Sequence, residues 1–226
     1  MGLSVYTSLL LSIIAQIITG IFEIGALFFS VPASFKLLKQ MLVLEVVVQI
    51  IEGSFYVYWF KNFKNIVNIT PSRYYDWILT TPTMLITLIF YLIFLKYQES
   101  STSDQLDFIP LFRQEFSTIA VVLGLNWLML LFGYLGELNI LPVFLGVFLG
   151  FIPFLLYYYI IYKKYALESS KTGLTIFYYF FVIWAFYGVV AVLPYKIKNI
   201  FYNTLDLFAK NFFGVFLTYS LYINAI

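Results

Sequence analysis

The chain has 226 residues, of which 62% are hydrophobic, 22% aromatic and only 11% charged, with a mean hydropathy of +0.93. A soluble domain is about 45–50% apolar and about 25% charged, so this is the composition of an integral membrane protein. The absence of cysteine and histidine excludes disulfides, iron–sulfur clusters, haem ligation by histidine and ordinary zinc sites, and the net charge of +2 is too small to argue for nucleic acid.

A membrane helix needs about 20 apolar residues. Seven runs qualify, at roughly 4–30, 38–60, 76–96, 117–135, 140–162, 174–194 and 200–225, predicting one all-α, seven-span transmembrane domain over residues 1–226. The first run is too long for a signal-peptide core and no small-residue cleavage pattern follows it, so it reads as a mature span. The connections after spans one, three and five carry Lys36, Lys39, Lys96, Arg113, Lys163, Lys164 and Lys171; those after two, four and six carry Lys61, Lys64, Lys196 and Lys198, with Arg73 at the mouth of span three. The richer set is expected in the cytoplasm, which predicts an outside N-terminus and a cytoplasmic C-terminus. Tyr56, Tyr58, Trp59, Tyr157, Tyr158 and Tyr159 crowd span ends, as an interfacial belt would. No internal repeat supports an inverted-repeat transporter. The expected setting is a multi-pass position in a cell or host-cell membrane, with lipid as the obligatory partner and a homo-oligomer left open.

Span one carries Ser12, Gln16, Thr19 and Glu23, at spacings of four, three and four. That is one helical face about 16 Å long. Span two carries Glu45, Gln49 and Glu52, four and three apart, with Tyr56 four further on. Antiparallel spans bring Glu23 and Glu45 to one depth, and Ser12 and Gln16 to that of Glu52. Hydroxyl and amide side chains commonly join membrane helices, which suffices for Ser12 and Thr19. Two carboxylates on one face of one span are costly unless water or ions attend them, so the stripes predict a hydrated path. The carboxylates Glu99, Asp104, Asp107, Glu115, Glu137 and Glu168 lie in loops or at span ends and read as solvated surface.

Span three opens Arg73-Tyr74-Tyr75-Asp76-Trp77-Ile78-Leu79-Thr80-Thr81-Pro82. Arg73, Asp76, Thr80 and Thr87 fall within about 60° of one face, and Pro82 is either tolerated or kinks the span. Span seven contains Asp206 and Lys210, four apart and therefore side by side on a helix. Lys210 sits mid-segment, too deep to snorkel. An ionisable residue there is a functional-site hypothesis, and its amine is the side chain able to form a Schiff base with an aldehyde.

These motifs resemble the microbial (type I) rhodopsins, whose third helix typically reads Arg-Tyr-x-Asp-Trp and then Thr-Thr-Pro, and whose seventh carries Asp-x-x-x-Lys followed by a nearby Phe-Gly. Both stand in order here, Phe213-Gly214 included, and Trp184-Ala185-Phe186-Tyr187 is similar to the family's span-six wall. The resemblance implies the family's seven-helix bundle and all-trans retinal held by Lys210 as a protonated Schiff base. Asp76 and Asp206 would be counterions and Arg73 would lie outward of them. Trp77, Thr80, Thr81, Trp184 and Tyr187 would line the pocket, with Met84 near the ring plane.

Departures from the family pattern bear on mechanism. Gly188 stands where many relatives have proline. Thr87 replaces the carboxylate that reprotonates the Schiff base in outward proton pumps, and Lys196 and Lys198 stand in place of an acidic pair before span seven. Glu45 and Glu52 look like the glutamate-lined second helix of algal channelrhodopsins. Ile51-Glu52-Gly53-x-Phe55-Tyr56 and Lys210-Asn211 look like the viral rhodopsins of group 1, described as light-gated cation channels. The resemblance thus implies a light-gated cation channel, its path comprising Ser12, Gln16, Glu23, Glu45, Gln49, Glu52, Thr87 and Asn211 along spans one, two, three and seven. One alternative is a light-driven outward proton pump with Asp76 as acceptor and Glu45 as donor. Another is a photosensor that signals through a partner docked on residues 97–116. An enzyme is not expected, because no nucleophile–base pair, metal cluster or phosphate loop is evident.

Overall fold

The computed structural model describes residues 4–225. They form α1 Val5–Ala26, α2 Lys36–Lys61, α3 Thr70–Glu99, α4 Phe108–Glu137, α5 Val143–Ile161, α6 Lys171–Ala191, α7 Tyr195–Asp206 and α8 Phe212–Tyr222. A π-helical turn, Tyr162–Ala166, extends α5, and a second, Leu207–Asn211, joins α7 to α8 as the seventh span. Among the described residues there is no strand. That follows from the solvent: hydrocarbon offers no partner to backbone N–H and C=O groups, so a spanning segment satisfies them within itself. Six helices are each long and apolar enough to cross a membrane; the seventh span is divided by its π turn.

Neighbouring spans pack in sequence, and the ring closes where α1 meets α7 and α8. α3 lies innermost and also reaches α6. Its most apolar stretch is 67% buried, against 28–39% in the other five spans, and its run Phe90–Leu95 is buried on every side. α1 shows the opposite distribution. Its buried face contains Ser8, Ser12, Gln16 and Glu23, while Ile14, Ile17, Ile18 and Ile21 point outward. The lipid-facing surface is thus apolar and the polar stripe is turned into the bundle.

Helix ends depart from the apolar runs because backbone hydrogen bonding continues beyond the hydrocarbon. α4 begins at Phe108 rather than 117, placing Arg113 and Glu115 on a helix. The connection expected over 97–116 shrinks to residues 100–107. α7 starts directly after Pro194, so Lys196 and Lys198 are helical. α1 ends at Ala26, four residues before the expected limit. Two carboxylates expected at the solvated surface are not there. Glu115 accepts from Lys164 Nζ (2.7 Å) and the Tyr165 hydroxyl (2.5 Å), and Glu137 pairs with Lys198 with a side chain only 6% exposed. The expected aromatic belt also divides. Tyr58 and Tyr159 face outward, but Tyr56, Trp59, Tyr157 and Tyr158 are core.

Pro82 is accommodated without breaking α3. Proline lacks the N–H that would bond to the carbonyl four residues back, which is that of Ile78. The Trp127 indole of α4 donates to that oxygen at 3.2 Å. Replacing Trp127 with Phe removes the donor and leaves a carbonyl unpaired in an apolar setting, a loss of about 1–3 kcal/mol. Trp127→Phe is therefore expected to melt at a lower temperature than wild type in a thermal scan, with its helix content before melting unchanged.

Candidate functional site

Lys210 lies in the π turn and is 3% exposed. Its Nζ donates to Asp76 Oδ2 of α3 at 2.7 Å, with Glu52 Oε1 of α2 at 3.5 Å and Asp206 Oδ1 of α7 at 3.8 Å. The Asp206–Lys210 spacing implied that the two sit side by side, and they do face each other, with Asp206 the furthest of the three. Glu52, expected only along an ion path, stands beside the lysine. The single other cation of the cluster is Arg73, so two positive groups face three carboxyl groups, all buried. Such groups persist in a low-dielectric interior only by mutual pairing and hydrogen bonding.

Arg73 forms a closed network on the side of the cluster toward the N-terminus. Its Nε donates to Asn199 Oδ1 at 3.0 Å, and its Nη2 donates to Asn203 Oδ1. Its Nη1 reaches the Tyr56 hydroxyl at 3.3 Å and Asp206 Oδ2 at 3.4 Å. The guanidinium plane lies 4.8 Å from the Trp59 ring, with Tyr56 and Tyr202 at 5.6 and 5.7 Å. Asp206 is held by two phenols, Tyr56 at 2.6 Å and Tyr187 at 2.7 Å. The asparagines are tied in turn: Asn199 donates to Thr70 at 2.9 Å and Asn203 to Ser8 at 2.8 Å, while Ser12 donates to the Asn203 carbonyl at 3.1 Å.

Beside the cluster runs an apolar slot that ends at Lys210. Trp77, Thr81, Met84, Trp184 and Tyr187 line it, together with Tyr202 and, from α5, Phe151 and Phe154. Thr80 does not line it. Its hydroxyl turns back to the Asp76 carbonyl (3.0 Å) and carboxylate (3.4 Å). Asn126 of α4, missed from sequence, donates to Thr81 at 2.8 Å. Gly188 also has a reason: a Cβ there would lie 2.7 Å from the Phe151 ring, so the ring occupies the space a larger residue would need.

Toward the C-terminal end of the bundle the two polar stripes meet as their period implied. Gln49 Nε2 of α2 donates to Thr19 Oγ1 (2.9 Å) and Glu23 Oε1 (3.2 Å) of α1. Asn211 Nδ2 donates to Thr19 at 2.6 Å. Glu45 accepts from Thr87 of α3 at 2.8 Å. Several buried atoms of the stripe have no partner among the described residues, including both amide atoms of Gln16 and one oxygen each of Glu23, Gln49 and Asn211. Neither oxygen of Glu52 accepts a hydrogen bond there either.

The residues missed were chiefly Asn199 and Asn203. A signal for them was present: Asn199, Asn203, Asp206 and Lys210 recur at spacings of four, three and four, the period that marked α1. Asn203→Leu removes the acceptor of Arg73 Nη2 and the donor to Ser8, stranding buried polar groups at about 1–3 kcal/mol each. Its thermal midpoint is expected to fall below that of wild type in a melting scan, and by more than that of Asn139→Ala, in the exposed turn after α4.

A family model described as "Bacteriorhodopsin-like protein" matches residues 6–224. A search of curated protein sequences gives no match. Among solved structures, the viral rhodopsin OLPVRII superposes with a TM-score of 0.81 at 28% identity, covering 97% of this chain and 98% of that one. The blue light-absorbing proteorhodopsin from Med12 gives 0.74 at 21% identity, covering 97% and 96%. Xanthorhodopsin, a light-driven ion pump with dual chromophore, gives 0.68 at 19% identity, covering 96% and 91%. With its model matched along nearly the whole sequence, the chain belongs to the bacteriorhodopsin-like family of retinal-binding, multi-pass membrane proteins.

Proposed function

We propose that the protein is a light-gated cation channel whose retinal is held by Lys210. The residues fit that group on two counts. The slot is walled by the Trp77, Trp184 and Tyr187 rings, as an apolar polyene requires, and Lys210 is the one amine that lines it. Asp76, Asp206 and Glu52 stand close enough to balance a cation on that nitrogen. Bound there, retinal supplies light absorption and a change of shape. Asp76 is the carboxyl placed to take a proton from Lys210 Nζ, at 2.7 Å. With N-terminus outside, Arg73 and its asparagines close the outer half in the resting state, all three nitrogens of the guanidinium being engaged.

The observation that carries the channel reading is the line of buried, unpartnered polar atoms from Glu52 and Gln16 to Gln49, Asn211 and Glu23. Polar groups in a bundle interior are paired unless they attend water or ions, and carboxylate-lined constrictions favour cations. Similarity to a viral rhodopsin supports the same placement. The contact between Glu45 and Thr87 favours a second reading, an outward proton pump. It sets a carboxyl group beside the threonine that replaces the family's usual proton donor, and Glu45 would serve in its stead.

Lys210→Ala is expected to abolish the visible absorption band of purified, retinal-supplied protein; a variant as coloured as wild type would overturn the retinal site. Whole-cell recording under illumination separates the two transport readings. The expected current reverses with the cation gradient and falls several-fold in Glu52→Gln. A current of one sign at all voltages, accompanied by external acidification that Asp76→Asn abolishes, would sink the channel and establish the pump.

A further inference from the structure

The three unpartnered oxygens of the inner stripe belong to one connected unit. The Thr19 hydroxyl donates to backbone, to the Ala15 carbonyl at 3.0 Å and the Gln16 carbonyl at 3.2 Å, so its oxygen is left only to accept. The groups that approach that oxygen are the side-chain amides of Gln49 (2.9 Å) and Asn211 (2.6 Å), and each must therefore present its NH2. Their carbonyl oxygens are turned elsewhere by this constraint. Both oxygens are buried without a partner among the described residues, as is Glu23 Oε2. The side chains of Glu23, Gln49 and Asn211 belong to residues 0%, 8% and 4% exposed. Glu23 lies within 4 Å of no lysine or arginine nitrogen among the described residues.

We propose that Glu23, Gln49 and Asn211 form a binding site for a partly dehydrated monovalent cation. The inference rests on the channel reading and gives it a defined inner station. The chemistry selects the occupant. Three acceptors without a donor call for positive charge, and a ligand set of one carboxylate and two neutral amide oxygens matches a single charge, the neighbouring Glu45 carboxyl group being engaged by Thr87. A calcium ion takes about 6–8 oxygens, with carboxylates prominent among them. Gly214 is the fourth component. A Cβ on Gly214 would lie 2.1 Å from Glu23 Oε1, so the carboxylate occupies its position only because that residue is glycine.

The test uses the purified, retinal-supplied protein. Sodium or potassium chloride is titrated against N-methylglucamine chloride at constant ionic strength, and the temperature at which the visible band is lost is recorded. Wild type is expected to show a saturable rise with Na+ or K+. Glu23→Gln, which puts a donor among the acceptors, and Asn211→Leu should each weaken the apparent affinity ~10-fold or more, about 1.4 kcal/mol. Gly214→Ala, which displaces the carboxylate and changes no ligand, should do the same while its visible band confirms folding. No saturable effect in wild type, or an unchanged one in Glu23→Gln, would overturn the site. Recording from the same variants separates the two readings. A gradient-reversing wild-type current that Glu23→Gln leaves unaltered in selectivity keeps the channel and removes the site. A cation effect lost in Glu23→Gln, with no reversing wild-type current, keeps the site and removes the channel.

Discussion

The ammonium group of Lys210, encircled by carboxyl groups of α2, α3 and α7, is the interaction on which the arrangement depends. A charge in a membrane interior is tolerated where it is paired, and removing one partner of a buried pair costs about 3–5 kcal/mol because the other charge remains. Asp76, Glu52 and Asp206 come from three different helices, so the cluster fixes their rotation as well as their distance. Arg73 supplies the second positive charge and carries the constraint toward the N-terminal end.

The bundle is polarised along its axis. Around Arg73 every guanidinium nitrogen finds an acceptor and three aromatic rings cover the group, with the Trp59 indole N–H left unpartnered. Around Gln16, Gln49 and Glu23 the matching is incomplete. A fully satisfied polar network in a low-dielectric interior is stiff, whereas a partly satisfied one is costly and responsive to what enters it. Stiffness and responsiveness therefore sit on opposite sides of Lys210, which is where a gate and a conduit would separate.

Much of the architecture is readable from residues because hydrocarbon permits few solutions. Seven apolar runs could form only seven helices, and a period of three and four identified the inward faces of α1 and α2. Helix ends were not readable in the same way, since apolarity stops at the membrane boundary while the backbone ladder runs on through Arg113 and Glu115. Lateral placement was also hidden. Depth matching set Glu52 level with Ser12 and Gln16, but its approach to Lys210 depends on how α2 leans against the π turn and α8, and the sequence of α2 does not contain that. The aromatic span ends illustrate the same limit: Trp59 and Tyr58 are adjacent, yet one lies under Arg73 and the other is 56% exposed.

The π turn at Leu207–Asn211 has a mechanical consequence. In a regular α-helix consecutive side chains diverge by about 100°, so one of two neighbours would normally face away. Here both Lys210 and Asn211 are buried, one against Asp76 and the other against Thr19. A single peptide plane links the two. Any torque that swings the lysine backbone turns the asparagine amide with it, as a crankshaft turns two throws set on one journal. The motion passes from lysine to asparagine through one covalent linkage and reaches α1 across the single hydrogen bond to Thr19.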